Sequence, residues 1–167
     1  IFALVSPKPN FNLLDRFLVL MEKQNLPALI CMNKTDLASD EMIAEVRKRY
    51  RNSGYPLLFV SAAQKEGVEA IREYLRGKTT TVAGPSGVGK SSLINLLQDG
   101  VQMQTGAVSE KIERGRHTTR HTELMWVEED TYILDTPGFS SIELFGIEKE
   151  ELGDYFPEIA AHAGDCR

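Results

Sequence analysis

Lys90 and Asp36 carry the most legible chemistry in this chain, because each closes a short motif suited to one part of a nucleotide. Gly84-Pro85-Ser86-Gly87-Val88-Gly89-Lys90-Ser91 is a glycine-spaced loop ending in Lys-Ser, with Ser92 after it. Its glycines let backbone N–H groups wrap a phosphate that side chains would obstruct. The helix it opens aims its positive end at that phosphate. Lys90 then reaches β- and γ-phosphate oxygens, and Ser91 offers a hydroxyl to Mg²⁺. Alone, the loop does not separate ATP from GTP.

Asn33-Lys34-Thr35-Asp36 makes that choice. A carboxylate at Asp36 accepts from N1–H and N2–H₂ of guanine, whereas adenine would meet it with an acceptor, and such pairing penalises the wrong base. Asn33 is expected to tie this loop to the phosphate loop, and the Lys34 stem to lie along the base. Ser61-Ala62-Ala63 follows the next strand, and the Ala62 N–H is the expected donor to guanine O6. Asp135-Thr136-Pro137-Gly138 ends a later strand, where Asp135 would hold Mg²⁺ through water and the Gly138 N–H would sense the γ-phosphate. Thr119, or its neighbour Thr118, is the residue expected to close over Mg²⁺. Isolated, N-K-T-D and D-T-P-G are common turns. Together, each at a strand end, they describe one guanine-nucleotide site.

The elements that must position these loops follow from periodicity. Apolar runs at 1–5, 27–32, 57–60 and 79–83 read as buried strands, and 124–127 and 132–134 as two more joined across an acidic turn. Between them, Asn10 caps a helix closing near Gln24 with Phe11, Leu14, Phe17, Leu18 and Met21 on one face. Ser39 or Asp40 caps another to about Arg51, and residues 67–75 form a third that Gly77 can stop. The helix after the phosphate loop carries Leu93, Ile94, Leu96 and Leu97. Residues 99–121 show no period and read as a long mobile connection. Short helical pieces holding Ile142, Leu144, Phe145 and Leu152 follow Gly138. Strands alternating with helices predict an α/β sandwich of three layers, with a mostly parallel sheet and ligand loops at the strands' carboxyl ends.

Bulk properties exclude some classes. At 167 residues the chain suits one domain, and its net charge of −5 gives no global pull toward nucleic acid or anionic membrane. Lys111, Arg114, Arg116 and Arg120 cluster with His117 and His121, opposed only by Glu113; this loop suits either RNA phosphate or plain solvation. Cys31 and Cys166 suggest no disulfide framework, and Cys31 reads as a core residue. No apolar stretch approaches a membrane span and no signal peptide is evident, so a soluble, cytoplasmic, monomeric protein is expected. Both ends read as cut from something longer.

In an ordinary GTPase the phosphate loop precedes N-K-x-D; here the order is inverted, so the chain looks like a circularly permuted P-loop GTPase. Gly84-Pro85-Ser86-Gly87-Val88-Gly89-Lys90-Ser91-Ser92-Leu93-Ile94-Asn95, Gly115-Arg116-His117-Thr118-Thr119-Arg120-His121 and Asp135-Thr136-Pro137-Gly138-Phe139 resemble the bacterial small-ribosomal-subunit biogenesis GTPases (RsgA, or YjeQ, family). The resemblance implies GTP/GDP and Mg²⁺ binding, GTP hydrolysis during late maturation of the small ribosomal subunit, and contact with its rRNA. It implies a GTPase domain over 1–160, with 161–167 opening a zinc-binding domain whose first Zn²⁺ ligand is Cys166. It also implies an OB-fold domain ahead of residue 1 that this chain does not contain.

Many GTPases place a Gln after the D-x-x-G glycine to orient the attacking water; Phe139 stands there and cannot. Slow unaided hydrolysis is therefore expected. His117 is either the group that swings toward the γ-phosphate or an exposed, RNA-contacting loop residue. Three other readings stay open: a non-catalytic guanine-nucleotide scaffold, a permuted GTPase of the large subunit, and a P-loop kinase, in which N-K-T-D would have no task.

Overall fold

The computed structural model describes residues 1–105 and 123–163, with backbone alone at 99–105 and 123. Among these residues the order is β1 (Phe2–Ala3), α1 (Phe11–Lys23), β2 (Ile30–Asn33), α2 (Asp40–Tyr50), β3 (Leu57–Phe59), α3 (Val68–Leu75), β4 (Thr79–Val82), α4 (Lys90–Thr105), β5 (Glu123–Glu128), β6 (Thr131–Asp135) and α5 (Pro157–Ala160). The helix starts are set by capping side chains. Asn10 Oδ1 accepts from Leu13 N–H at 3.1 Å, and Ser39 Oγ accepts from Met42 N–H at 3.4 Å. Such a cap contributes about 1 kcal/mol and fixes where the helix begins. In α2, Asp40 and Glu41 occupy the first turn and Arg47, Lys48 and Arg49 the last, matching the helix dipole.

β1, β2 and β3 pair in parallel, with Phe2 opposite Met32 and Met32 opposite Phe59. β4 runs parallel to β6, while β5 returns antiparallel to β6 through the Glu129–Asp130 turn. The two three-stranded sheets abut where the Ile1 main-chain nitrogen donates to Ala83 O at 2.6 Å. Gly84 permits that approach: a Cβ there would lie 2.0 Å from Ile1 O.

Alternation along β2 divides the core. Cys31 joins Val60, Ile71, Leu75, Leu93, Ile94 and Leu97 on the side covered by α3 and α4. Ile30 and Met32 face Leu13, Leu14, Leu18, Val46 and Tyr50 on the side of α1 and α2. The result is the expected three-layer α/β sandwich. Burial contributes about 1.5–3 kcal/mol for each such apolar side chain, so these two clusters hold the layers together. Cys31 is a core residue, and burial pushes its thiol up to about 11, which keeps it unreactive.

Several expectations need correction. Residues 99–105, read as the start of a connection, continue α4 to Thr105. The buried face of α1 is wider than the predicted stripe: Leu14 and Leu18 are buried and Phe11 packs on the same cluster as expected, but Leu13 and Val19, on either side of the stripe, are buried too. Ile142, Leu144 and Phe145 lie in irregular backbone; the helical pieces come later, at Leu152–Tyr155 and in α5. That irregular segment is strapped to α1. The Phe139 ring stacks on Phe17 at 5.7 Å, Arg16 donates to Ile142 O at 3.1 Å, and Lys23 donates to Phe145 O at 2.9 Å.

Candidate guanine-nucleotide site

The described motif residues sit at carboxyl ends of strands, in the loops that follow them or in the first turn of α4, where an α/β sheet builds its ligand sites. β2 delivers Asn33, which is 1 % exposed and spends both ends of its amide on other loops. Nδ2 donates to Val88 O of the P-loop at 2.9 Å, and Oδ1 accepts from Ala62 N–H at 3.0 Å. One side chain thus joins N-K-T-D, S-A-A and the P-loop. Gly89 is the partner of that arrangement: its φ is +96°, and a Cβ there would sit 2.3 Å from Asn33 Nδ2. Lys34, with φ +66°, donates from Nζ to Gly87 O at 2.8 Å and also to Ser6 O. Thr35 N–H donates to Val60 O at 3.2 Å and closes the turn that carries Asp36.

Asp36 is exposed and aimed by Ser61. The buried Ser61 hydroxyl donates to Asp36 Oδ1 at 2.5 Å while accepting from Gln64 N–H at 3.1 Å. The carboxylate is therefore held in one orientation. Charge-assisted hydrogen bonds of this kind are short and directional. Ala62 N–H, expected to donate to guanine O6, donates to Asn33 instead, while Ala63 beside it is exposed.

The phosphate side is built on β4, α4 and β6. Gly84 to Gly89 wrap ahead of α4, with Val88 buried as the loop's anchor and Ser86, Ser91 and Ser92 exposed at its mouth. Lys90 Nζ donates to Gly84 O at 2.8 Å and Pro85 O at 2.9 Å, folding the ammonium back over the loop. Burial lowers its pKa, opposed by the negative charge of Asp135. A desolvated ammonium beside exposed backbone turns is suited to receive phosphate oxygens. Gly138 comes within reach of both: a Cβ there would lie 3.1 Å from Lys90 Nζ and 3.1 Å from Ser86 N. The D-T-P-G loop is pinned by Thr136 Oγ1, which donates to Val82 O at 2.8 Å.

Asp135 is 1 % exposed, and neither carboxylate oxygen has a hydrogen-bond partner among the described residues. A buried carboxylate without partners is costly unless a cation satisfies it. That orphaned carboxylate, with Ser91 at the start of α4, fits Mg²⁺. Among the described residues no group of three or more His, Cys, Asp and Glu is placed to hold a metal. His117, Thr118, Thr119, the basic cluster at 111–121 and Cys166 all lie outside the described residues.

Sequence reasoning missed three contributors. The loop carrying Ser6 and Pro7 leans on the site, through Lys34 and through Pro7 Cδ, which lies 3.8 Å from where a Gly87 Cβ would be. Thr136 pins the D-T-P-G loop, and Phe139 packs against α1. Only Thr136 had a signal, a hydroxyl beside Asp135 at a strand end.

The comparisons with known proteins agree with this geometry. The sequence profile of the family described as RsgA GTPase matches residues 1–145. The small ribosomal subunit biogenesis GTPase RsgA of Agathobacter rectalis is 54% identical over 167 residues, covering 100% of this chain and 55% of that protein. Its counterpart from Alkaliphilus metalliredigens is 47% identical, with 100% and 57% covered. This chain therefore spans just over half the length of these curated relatives. Among solved structures, YloQ, a circularly permuted GTPase, superposes with a TM-score of 0.73 at 37% identity, covering 99% of this chain and 52% of YloQ. YjeQ from Thermotoga maritima superposes with 0.72 at 35% identity, covering 93% and 52%. With an N-K-T-D loop that precedes the P-loop in sequence yet clasps it in space, and with this profile match, the chain belongs to the RsgA GTPase family.

Proposed function

We propose that this domain binds GTP and hydrolyses it during maturation of the small ribosomal subunit. The observation that carries the reading is the clasp: Asn33 and Lys34 reach Val88 and Gly87 of the P-loop, so base recognition and phosphate binding are one assembly. Asp36, oriented by Ser61, selects guanine. Ala63 N–H, next to the occupied Ala62, is the donor to guanine O6. The P-loop backbone cradles the β-phosphate, and Lys90 neutralises charge at the β- and γ-oxygens. Ser91 and Asp135 hold Mg²⁺, with Thr119 or Thr118 completing the set; the ion supplies charge neutralisation at the phosphates.

Phe139 stacks on Phe17 and cannot orient water, so turnover of the domain alone is slow and depends on a group supplied when the ribosomal subunit is bound. His117 is the chain's own candidate for that group. The D-T-P-G loop continues into the segment strapped along α1, which couples γ-phosphate sensing to whatever lies beyond it. In a longer chain, residues 161–167 would open a zinc-binding domain with Cys166 as first ligand. The working location is the bacterial cytoplasm, where ribosomes assemble. Multiple-turnover GTP hydrolysis with and without purified small subunits tests the reading. Stimulation by small but not large subunits is expected. Equal slow rates under all conditions would instead support a guanine-nucleotide scaffold.

A further inference from the structure

On a domain whose net charge is −5, α2 and the residue after it place Arg47, Lys48, Arg49 and Arg51 within five positions. All four are exposed. They are not equivalent. Arg49 is engaged, pairing with Asp15 at 3.4 Å and lying over the Phe11 ring at 4.5 Å. Arg47 lies over Phe59, its guanidinium 4.8 Å from the ring centroid, a contact that favours that position without neutralising the charge. Lys48 and Arg51 form no ion pair among the described residues.

Arg47, Lys48 and Arg51 line one shallow, open depression along α2 with Ile43, Ala44 and, at its far end, Asp40. The helix dipole accounts for cations in the last turn of α2. It does not account for Arg47, Lys48 and Arg51 sharing one exposed side of the helix, with Arg47 held over an aromatic ring. No aromatic ring lines the depression. Protein interfaces take their energy from buried aromatic and aliphatic anchors, whereas contacts to a nucleic-acid backbone need cations and little else.

We infer that the Arg47–Lys48–Arg51 face of α2 binds the phosphate backbone of RNA, separately from the nucleotide site. The inference rests on the ribosomal reading above and names a surface for it. Lys48 supplies a compact point charge, and Arg47 and Arg51 planar donors, that of Arg47 placed over Phe59. No residue of this face takes part in the hydrogen bonds that join N-K-T-D, S-A-A and the P-loop.

The test is binding of the protein to small ribosomal subunits, and to protein-free small-subunit rRNA, across a KCl series. It compares wild type with K48E/R51E and with the milder K48Q/R51Q. Retained GDP affinity shows that each variant is folded. Losing two phosphate contacts should weaken rRNA binding about tenfold or more and flatten the log–log salt dependence by about 1.8. K48Q/R51Q should show the same flattening with a smaller loss. Unchanged affinity and slope on rRNA would overturn the inference. So would a loss confined to intact subunits, which would identify an acidic protein as the partner. If wild type binds rRNA with the expected α2 dependence but subunits do not stimulate its hydrolysis, the surface stands and the proposed function falls.

Discussion

The two halves of the site handle their polar groups in opposite ways. On the N-K-T-D side, the polar groups of the loops satisfy one another: Asn33 bridges Ala62 and Val88, Ser61 holds Asp36, and Lys34 ties to Gly87. On the phosphate side, the Asp135 carboxylate is buried without a hydrogen-bond partner and Lys90 is partly desolvated. One half is complete before ligand arrives. The other carries a desolvation cost that, on the proposed reading, phosphate and Mg²⁺ would relieve. On the proposed reading, guanine selectivity would come from pre-ordered loops, while affinity for the tail would come from groups that the fold leaves in need of opposite charge.

Mutations on the two sides should separate stability from binding. Lys90→Ala should have the largest effect on binding, lowering GTP affinity about 100-fold, or roughly 2.7 kcal/mol, by removing the charge at the β- and γ-oxygens. Its unfolding free energy should stay close to that of wild type, because a desolvated ammonium goes with it. Asn33→Ala should do the reverse. It breaks two hydrogen bonds at a buried position and strands Ala62 N–H and Val88 O, a loss of about 2–4 kcal/mol in urea unfolding. A drop of Lys90→Ala in stability as large as that of Asn33→Ala would erase the distinction.

Phe139→Gln probes the boundary between the halves. The ring at 139 packs on Phe17, so restoring the usual water-orienting amide should not raise hydrolysis, and losing the stack should cost about 2 kcal/mol. A rate increase in single-turnover hydrolysis would mean that the side chain reaches the γ-phosphate after all. Asp135→Asn is the smallest and most diagnostic change. With Mg²⁺ absent it should stabilise the fold by about 1 kcal/mol, because a buried charge is replaced by a neutral isostere. The Mg²⁺ dependence of binding a non-hydrolysable GTP analogue should be lost in the same variant. A destabilised Asp135→Asn protein would show that the carboxylate has a structural partner.

Local rules made much of this readable from sequence. Asn10 and Ser39 are caps that any helix would use, and the 123–135 hairpin follows from two apolar runs around Glu129 and Asp130. Motif order exposed the permutation, since strand-end loops converge whatever their order along the chain. What escaped depends on tertiary approach. Burial of Leu13 and Val19 beside the expected α1 stripe depends on what packs there, and α4 runs to Thr105 through residues that show no apolar period. The diversion of Ala62 N–H to Asn33, and the Phe139–Phe17 stack joining residues far apart in sequence, have no local signature.

The central claim is that Asp36 reads a guanine whose phosphates lie on Lys90. Equilibrium titration of wild type and Asp36→Asn with GDP, ADP and XDP, in the presence of Mg²⁺, tests it most directly. Wild type should prefer GDP over ADP by at least about 100-fold, and Asp36→Asn should lose GDP affinity and gain XDP affinity. Equal binding of GDP and ADP by wild type, or an Asp36→Asn protein with unaltered base preference, would contradict the account.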